Sequence, residues 1–505
     1  LLIIAVIRKF NSFADADHQE TIESFVNQLK DKYLVYKDRI NRQPIEVSKL
    51  VLSNADKQYF ENIIANRPLE ESRDSHKKLK KAFQKICSYV DQTVDCIPNI
   101  DDKIDALGDF DNIIHNNCTI IFIDADSRES AYKLFQVLND RGAGLTEGDL
   151  LKSKTLEVLE RHFSVRQEAL QSAWDGILED DPKQVETFLR YYYASVCGRR
   201  VGRTTLYDEF LKQFFPSIVN KDDIVDETEA ISLCDKVSDL FEEMRIYRKI
   251  VSGDWPYQAS QPVTEWDRRR LFVLINYLNF DIVYPLLMAA AKLEQKKFAE
   301  LTYMLEKFMF RHKSVCNLGH QKLSELFMKE AVKIRENPTE YRVSSLRAQL
   351  RGIIASECTD EVFKVGLANM RYRPTGGNKQ LKYLFSVLTE HISWFEQGAS
   401  GHPKPEKSNI INYDTITIEH ISPQSPSGTS IFTGDDIHKL KNLTLLTPPE
   451  NDLAANKDYA AKKPIYVNST YKLNTFFESI DTWNIRASEQ WETHLIDMAC
   501  KIFVV

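Results

Sequence analysis

Glycine and proline are scarce in this chain, 17 of each in 505 residues. Both residues punctuate turns, so their shortage argues against a loop-rich or all-β protein and for long helices. The eight cysteines, at positions 87, 96, 118, 197, 234, 316, 358 and 500, contain no Cys-x-x-Cys pair and follow no regular spacing. That excludes the usual zinc ribbons and a disulfide framework, and it fits a reducing cytosol. Positive charge is not in excess either: 66 Lys and Arg stand against 73 Asp and Glu, a net charge of -7. A generally basic protein that coats nucleic acid is excluded, and any grip on a polyanion must come from a local patch. Residues 1–7 are all apolar, but Arg8 and Lys9 follow at once. A membrane span needs about 20 apolar residues, and a signal peptide needs a basic leader and a small-residue cleavage site. The run is therefore read as a buried helix that the sequence enters part-way, with residues missing upstream.

What is present is ordinary for a globular protein, 43% apolar and 28% charged residues, and the length suggests three or four domain-sized units. Residues 20–88 carry a mostly helical pattern, and 99–117 read as a further helix. Residues 118–124, Cys-Thr-Ile-Ile-Phe-Ile-Asp, are the clearest strand of the first half. A helix from Ser127 to Leu138 is expected to stop at Asn139-Asp-Arg-Gly142, and another to start at Thr146 with Asp149 three residues on, a capping-box spacing. From about 160 to 397 the pattern is helical, with stretches at 184–197, 204–215, 231–250, 265–293, 297–310, 321–335, 344–355 and 379–395. No fixed-period repeat is present. Residues 398–408 form the best linker. After it the texture changes to strand, loop, strand and helix: 415–418 alternate like a strand, 442–447 form a second strand, and 451–463 are polar and then helical.

That last segment holds the strongest chemical constellation. Ile-Glu-His-Ile-Ser-Pro-Gln occupies 418–424, followed by Lys441-Asn442-Leu443 and then by Asn451, Asn456 and Lys457. Phosphodiester hydrolysis needs a base to take a proton from water, and histidine titrates close to working pH. It needs a divalent ion at the scissile phosphate, and Mg²⁺ takes oxygen ligands such as a Glu carboxylate or an Asn carbonyl. An Asn carbonyl can also fix an imidazole tautomer, and a lysine can hold a flanking phosphate. Taken alone, a Glu-His pair is usually surface structure, because strand neighbours point to opposite faces. The two share a site only at a bent strand end, which Pro423 favours.

The segment resembles the HNH, or ββα-metal, nuclease motif. The resemblance implies Glu419 as the first metal ligand, His420 as general base, Asn442 as the group that orients His420, and Asn451 as the other metal ligand. Asn456 and Lys457 fall where the motif contacts metal or phosphate. Glu419 stands where many such sites have Asp, and Asn stands where many have His. Each change keeps an oxygen or nitrogen donor, and it leaves the choice between Asn451 and Asn456 open.

A second resemblance covers the first half. Residues 120–124, Ala131, Phe135, 138–142, Leu145-Thr146 and 149–152 are similar to the N-terminal ParB-like domain of the GmrSD restriction family, whose second half the HNH segment resembles. That domain resembles an NTPase with an Asp-Gly-Gln-Gln-Arg motif, which is absent here; the family pattern would place it just before Leu1. Asn139, Arg141 and Asp149 are the candidates for handling a nucleotide, against the alternative of a turn and a helix cap. Gly142-x-Gly144 is followed by Glu147, so no dinucleotide fingerprint is present, and no Walker A segment occurs.

Residues 406–505 carry nine Lys and Arg against thirteen Asp and Glu, so the nuclease segment alone is a poor DNA binder. Arg199, Arg200 and Arg203, and the run Arg268–Arg270, are the candidate phosphate contacts, with a solvated helix face as the alternative. Tyr191–Tyr193 are read as core.

The expected architecture is mainly α with small α+β parts. It comprises a partial ParB-like N-terminal domain (1–157), a helical middle (158–405) and a C-terminal ββα-metal (HNH) nuclease domain (406–505). The expected function is a cytoplasmic, metal-dependent DNA endonuclease of a GmrSD-like, modification-dependent phage-defence system. Its substrate would be double-stranded DNA, modified phage DNA included, and its cofactor Mg²⁺ or Mn²⁺. A nucleoside triphosphate is the second cofactor the resemblance allows. A homo-oligomer is compatible with it, and no membrane partner is implied. The alternative is a nucleotide-gated DNA- or partner-binding defence subunit whose HNH segment is inactive.

Overall fold

The computed structural model describes all residues except 14–16, 41–42, 51, 53, 72–73, 120–145, 160–161, 222, 259–261, 409, 414, 425–430 and 433. The expected strand at 118–124, the helix that follows it, and Asn139 and Arg141 lie largely or wholly outside the described residues. The chain divides into two units, one of residues 1–186 and 211–241, the other of residues 187–210 and 242–505. Both are mainly helical. Among the described residues no helix is long and apolar enough to cross a membrane.

In the first unit the apolar start forms the helix Leu2–Phe10, with Ile3, Ile4, Val6, Ile7 and Phe10 buried. It packs against the helices Asp74–Asp95 and Ile100–Asn117. The amphipathic turn ends in charge that finds partners: Arg8 Nη2 donates to the Ile63 carbonyl at 2.7 Å, and Lys9 reaches Asp91 and Asp95 at 2.8 and 2.6 Å. The 20–88 stretch is not helical throughout. Strands β1 (Val35–Ile40) and β2 (Gln43–Ser48) pair antiparallel, Val35 opposite Ser48 and Ile40 opposite Gln43. Val35, Tyr36, Ile40, Ile45 and Val47 are strand formers, and Pro44 forbids a helix interior; the strongly helical neighbours hide this signal. Thr146 and Asp149 close the expected capping box at the start of Glu147–Glu157, with reciprocal bonds of 3.0 and 3.1 Å.

The second unit is built on the helices Gln295–Met309, Lys379–Glu396 and Ile485–Ile502. The expected helix over 265–293 is broken into Glu265–Phe272, a π turn at Val273–Tyr277, a 3-10 turn at Asp281–Val283 and the helix Tyr284–Ala290. Asn279 takes a left-handed φ of 60°, and Pro285 starts the last piece, where its missing N–H costs nothing. The C-terminal segment folds as two strands and short helices, and Lys379–Glu396 packs on both strands.

The core of this unit is not wholly apolar. Arg270 is fully buried between Glu306 and Glu390, at 3.3 and 3.5 Å. Tyr383 donates to Glu306 Oε1 at 2.8 Å, and the Tyr413 hydroxyl stands 3.4 Å from Arg270. Next to Glu390 in the same helix, His391 Nε2 accepts from the Tyr303 hydroxyl at 2.9 Å, while Nδ1 donates to the Val387 carbonyl at 2.7 Å. Burial, aided by Lys307 and Arg270, pushes the His391 pKa down to about 3 from 6.5. Between those values the unfolded chain binds a proton that the folded chain does not. The stability from neutral His391 is therefore present above about pH 6.5 and is lost as pH falls toward 3, by up to ~1.4 kcal/mol per pH unit. Glu306, whose pKa burial raises to about 7, acts with the opposite sign, so a difference measurement is needed. His391→Gln is expected to be less stable than wild type at pH 7.5 and to approach it at pH 5, read as urea midpoints. Parallel loss in both proteins would show that His391 is protonated in the folded state.

Candidate active site at the C-terminal hairpin

Strands β3 (Thr417–His420) and β4 (Leu443–Leu446) pair antiparallel, Glu419 opposite Thr444 and His420 opposite Leu443. β4 is buried on both faces, which is why its sequence reads as a continuous apolar run rather than an alternation. Its outer edge is completed by side chains: Trp491 Nε1 donates to the Leu443 carbonyl and Asn474 Nδ2 to the Leu445 carbonyl, both at 2.8 Å. Thr447 and Glu450 form a capping box, with Pro448 in the first turn, that launches the helix Pro448–Ala454. This helix packs against β3 and carries Asn451. Ala455, at φ 42°, ends it, and Asn456 and Lys457 are exposed in the following turn. Asp458 caps the next helix, Tyr459–Val467, which brings Lys462 and Tyr466 back under β3.

Glu419 and His420 are both buried, yet they face different surroundings, as strand geometry demands. Lys462 Nζ donates to Glu419 Oε1 at 2.6 Å and to the His420 carbonyl at 2.7 Å. The Tyr466 hydroxyl donates to the same Oε1 at 3.1 Å. Burial pushes the Glu419 carboxyl up, and Lys462 opposes that shift. On the His420 side, Gln424 Nε2 donates to Nδ1 at 3.1 Å, and Nε2 lies 3.1 Å from His438 Nδ1. The Tyr372 ring stands edge-on to His420, 4.8 Å between centroids, and its backbone N–H donates to the His438 carbonyl at 2.7 Å. Burial, with His438 and Lys462 nearby, lowers the His420 pKa to about 3. The imidazole is therefore neutral at neutral pH.

Asn442 sits beside this histidine without touching its ring. Its Oδ1 accepts from the Ser422 N–H at 2.7 Å and from Trp483 Nε1 at 3.3 Å, and its Nδ2 donates to the carbonyls of Ser422 and Ile437 at 3.0 and 2.9 Å. The expected direct contact between Asn442 and the imidazole is not made, since both amide atoms are bonded to other groups. A side-chain amide matches a peptide group in donors and acceptors, so Asn442 bolts the segment after β3 to residue 437. Gln424 and His438 hold the ring. Asn451 Oδ1 is buried without a hydrogen-bond partner, a costly state for an acceptor. Among the described residues no group of three or more His, Cys, Asp or Glu could by itself hold a metal ion. An amide oxygen such as that of Asn451 is a donor of the kind a hard cation takes.

The other expected contacts are dispersed. Arg199 pairs with Glu209 at 2.8 Å and lies over the Tyr193 ring. Arg200 donates to Ser324 Oγ at 2.7 Å, and Arg203 is exposed in a 3-10 turn. The run Arg268–Arg270 is no phosphate patch: Arg270 is sealed between Glu306 and Glu390, Arg269 lies over Tyr413, and Arg268 donates to the Val263 carbonyl at 3.2 Å. Tyr193 is buried, as expected, and Tyr191 packs on Tyr247 and Tyr284. Asp149 Oδ2 is engaged by the Thr146 hydroxyl and N–H.

Sequence reasoning did not single out His438, Lys462, Tyr466 or Tyr372. Gln424 lay inside the quoted motif, and His438 is the one histidine between the two strands; nothing local marks the others.

Comparison with known families agrees with the order of these parts. No curated protein matches the chain. The family model described as the C-terminal domain of GmrSD restriction endonucleases matches residues 358–498, which span β3, β4 and both following helices. The model for the N-terminal domain of GmrSD restriction endonuclease matches residues 3–156. With more than half of its length matched by the two models, in the order the family requires, the chain belongs to the GmrSD restriction endonuclease family.

Proposed function

We propose that the chain is a metal-dependent DNA endonuclease of the HNH, ββα-metal type, acting in the cytoplasm on double-stranded DNA, phage DNA included. The observation that carries this reading is His420: a neutral imidazole, held on both ring nitrogens at the end of a two-strand hairpin, followed by a helix that presents a buried, unsatisfied amide oxygen. The donor set suits a hard divalent cation such as Mg²⁺ or Mn²⁺. Asn451 Oδ1 would hold it, and the Glu419 carboxylate could join only by turning from Lys462 and Tyr466, which it faces while the His420 ring faces Gln424 and His438. When bound, the ion would offset charge on the scissile phosphate and the leaving oxygen.

The chain's own groups do the rest. His420 accepts a proton from water, for which one of its two ring partners must let go; Gln424, with a rotatable amide, is the easier to displace. Asn442 fixes the peptide segment that carries Gln424. Lys462, 2.6 Å away, favours the carboxylate form of Glu419 and opposes the desolvation that pushes its carboxyl up. Asn456 and Lys457, exposed beside the site, are placed to meet flanking phosphate. One observation favours a second reading, a DNA- or partner-binding defence subunit with an inactive segment: the Lys462 ammonium already neutralises one oxygen of Glu419.

The two separate on supercoiled plasmid. With Mg²⁺ or Mn²⁺ the folded protein is expected to produce nicked or linear DNA, and EDTA is expected to stop it. Plasmid left intact under both metals, by protein that binds it, would establish the second reading instead.

A further inference from the structure

Three concavities on the second unit share walls and so form one groove. The first, about 240 Å³, is lined by Arg190, Arg200 and His320. The second, about 500 Å³, shares Asp281, Ile282 and His320 with it and adds Lys313 and Arg373. The third, about 710 Å³, shares Arg373 and Gln380 with the second and adds Lys379. Among the described residues, Asp281, on the first two walls, is the one acidic residue that lines the groove, in a chain where acids outnumber bases. Of the cations along these walls, Arg371 pairs with Asp435 at 3.2 Å and Lys379 lies over the Tyr277 ring, while the others are not in ion pairs among the described residues. Among the described residues Arg190, Lys313, Arg373 and Lys379 have no carboxylate partner, Arg190 Nε is buried without any partner, and Arg200 uses only the Ser324 hydroxyl.

The groove has a direction. Its third wall includes Met370 and Arg371. The next residue, Tyr372, packs its ring on His420 and bonds to the His438 backbone. Arg371 itself pairs with Lys439 through an isolated antiparallel backbone bridge.

We propose that this groove is the track for the DNA phosphate backbone, delivering a phosphodiester to His420. The inference rests on the nuclease reading for its end point. A single phosphate or nucleotide would occupy one concavity, whereas cations spread along three joined ones match a polyanion with charge at regular intervals. The groove also explains how a segment with excess acid can act on DNA, since the positive charge is supplied by the helices beside it.

The test compares the full chain with the variant Arg190→Gln/Lys313→Ala/Arg373→Ala, and with a control, Lys296→Ala/Lys329→Ala/Lys364→Ala, that removes the same charge from exposed positions outside the groove. Duplex binding is measured in EDTA at several salt concentrations, so that no cleavage occurs. Each phosphate contact contributes about 0.9 to the slope of log K against log salt. The groove variant is expected to lose roughly 2–3 from that slope and about 10²-fold or more in affinity at 50 mM salt, for all sequences alike. The control is expected to lose far less. Equal losses in the two variants would overturn the proposal. So would unchanged duplex binding with loss of free-nucleotide binding, which would mark a small-molecule pocket. Binding loss in the groove variant together with no cleavage by the wild-type chain would leave the groove standing and remove the nuclease reading.

Discussion

His420→Ala is expected to slow DNA cleavage by about 10²–10⁴-fold, the usual contribution of a positioned general base, while duplex affinity stays within about two-fold of wild type. The two effects separate because of where the ring sits. His420 is 5% exposed, so little of it can meet a phosphate, and it is uncharged at neutral pH, so it adds nothing to long-range attraction. Its contacts are with Gln424, His438 and Tyr372. Removing the ring leaves the Gln424 amide without that partner but leaves the Asn442 bonds to Ser422 and Ile437 intact, and the hairpin should hold. Single-turnover cleavage under saturating protein reads the chemical step, and anisotropy of a labelled duplex in EDTA reads binding. Cleavage at the wild-type rate would take His420 out of the mechanism. A parallel loss of cleavage and affinity would instead mark it as a binding residue.

The second large effect concerns stability. Arg270→Met is expected to cost about 3–5 kcal/mol at pH 8, the range for breaking a buried ion pair from one side. Glu306 and Glu390 would remain buried, each within 3.5 Å of where the guanidinium stood, and several of their oxygens already lack a hydrogen-bond partner. The sign of the pH dependence follows from the same burial. Desolvation holds both carboxyls above their usual range even with Arg270 present, and without it they rise further. A raised carboxyl pKa confers stability below the unfolded value that is lost as pH climbs through the folded one. The deficit of Arg270→Met is therefore expected to be small near pH 5 and to grow toward pH 8. Arg270→Met/Glu306→Leu/Glu390→Leu removes all three charges and is expected to recover most of the loss, because an apolar replacement needs no compensating partners. Trp266, 4.3 Å from the Arg270 guanidinium, reports unfolding by fluorescence. A deficit independent of pH would mean that the carboxyls stay ionised in the variant, and that the cluster is tuned by something other than these two groups. The consequence reaches the active site, since Tyr413 joins this cluster four residues before β3 begins.

Much of this protein is determined within short windows of its sequence. The apolar start packs as a buried helix because its first seven residues carry no charge that would have to face water. Thr146 and Asp149 cap their helix because the capping box closes over three residues. The order of β3, β4 and the following helix is legible at 415–463 because strand alternation and turn chemistry act locally. The helix pieces at 265–293 are shorter than periodicity alone implies, since a left-handed Asn279 interrupts the pattern. The hairpin at 35–48 was hidden by stronger helical neighbours. What surrounds each charge was decided only by tertiary structure. Arg270 and Arg199 look alike in sequence, each within a short basic cluster. One is sealed between two carboxylates from helices 36 and 120 residues away, and the other is a surface ion pair. Glu419 reads as a free ligand until Lys462, 43 residues on, is found against it. His420 takes its ring partners from residues 424 and 438 and its ring contact from Tyr372, 48 residues earlier. Caps and periodicity depend on backbone spacing that a short segment sets for itself. The field at a side chain depends on which distant elements pack against it, because Coulomb energy and desolvation vary over a few ångströms of space rather than along the chain.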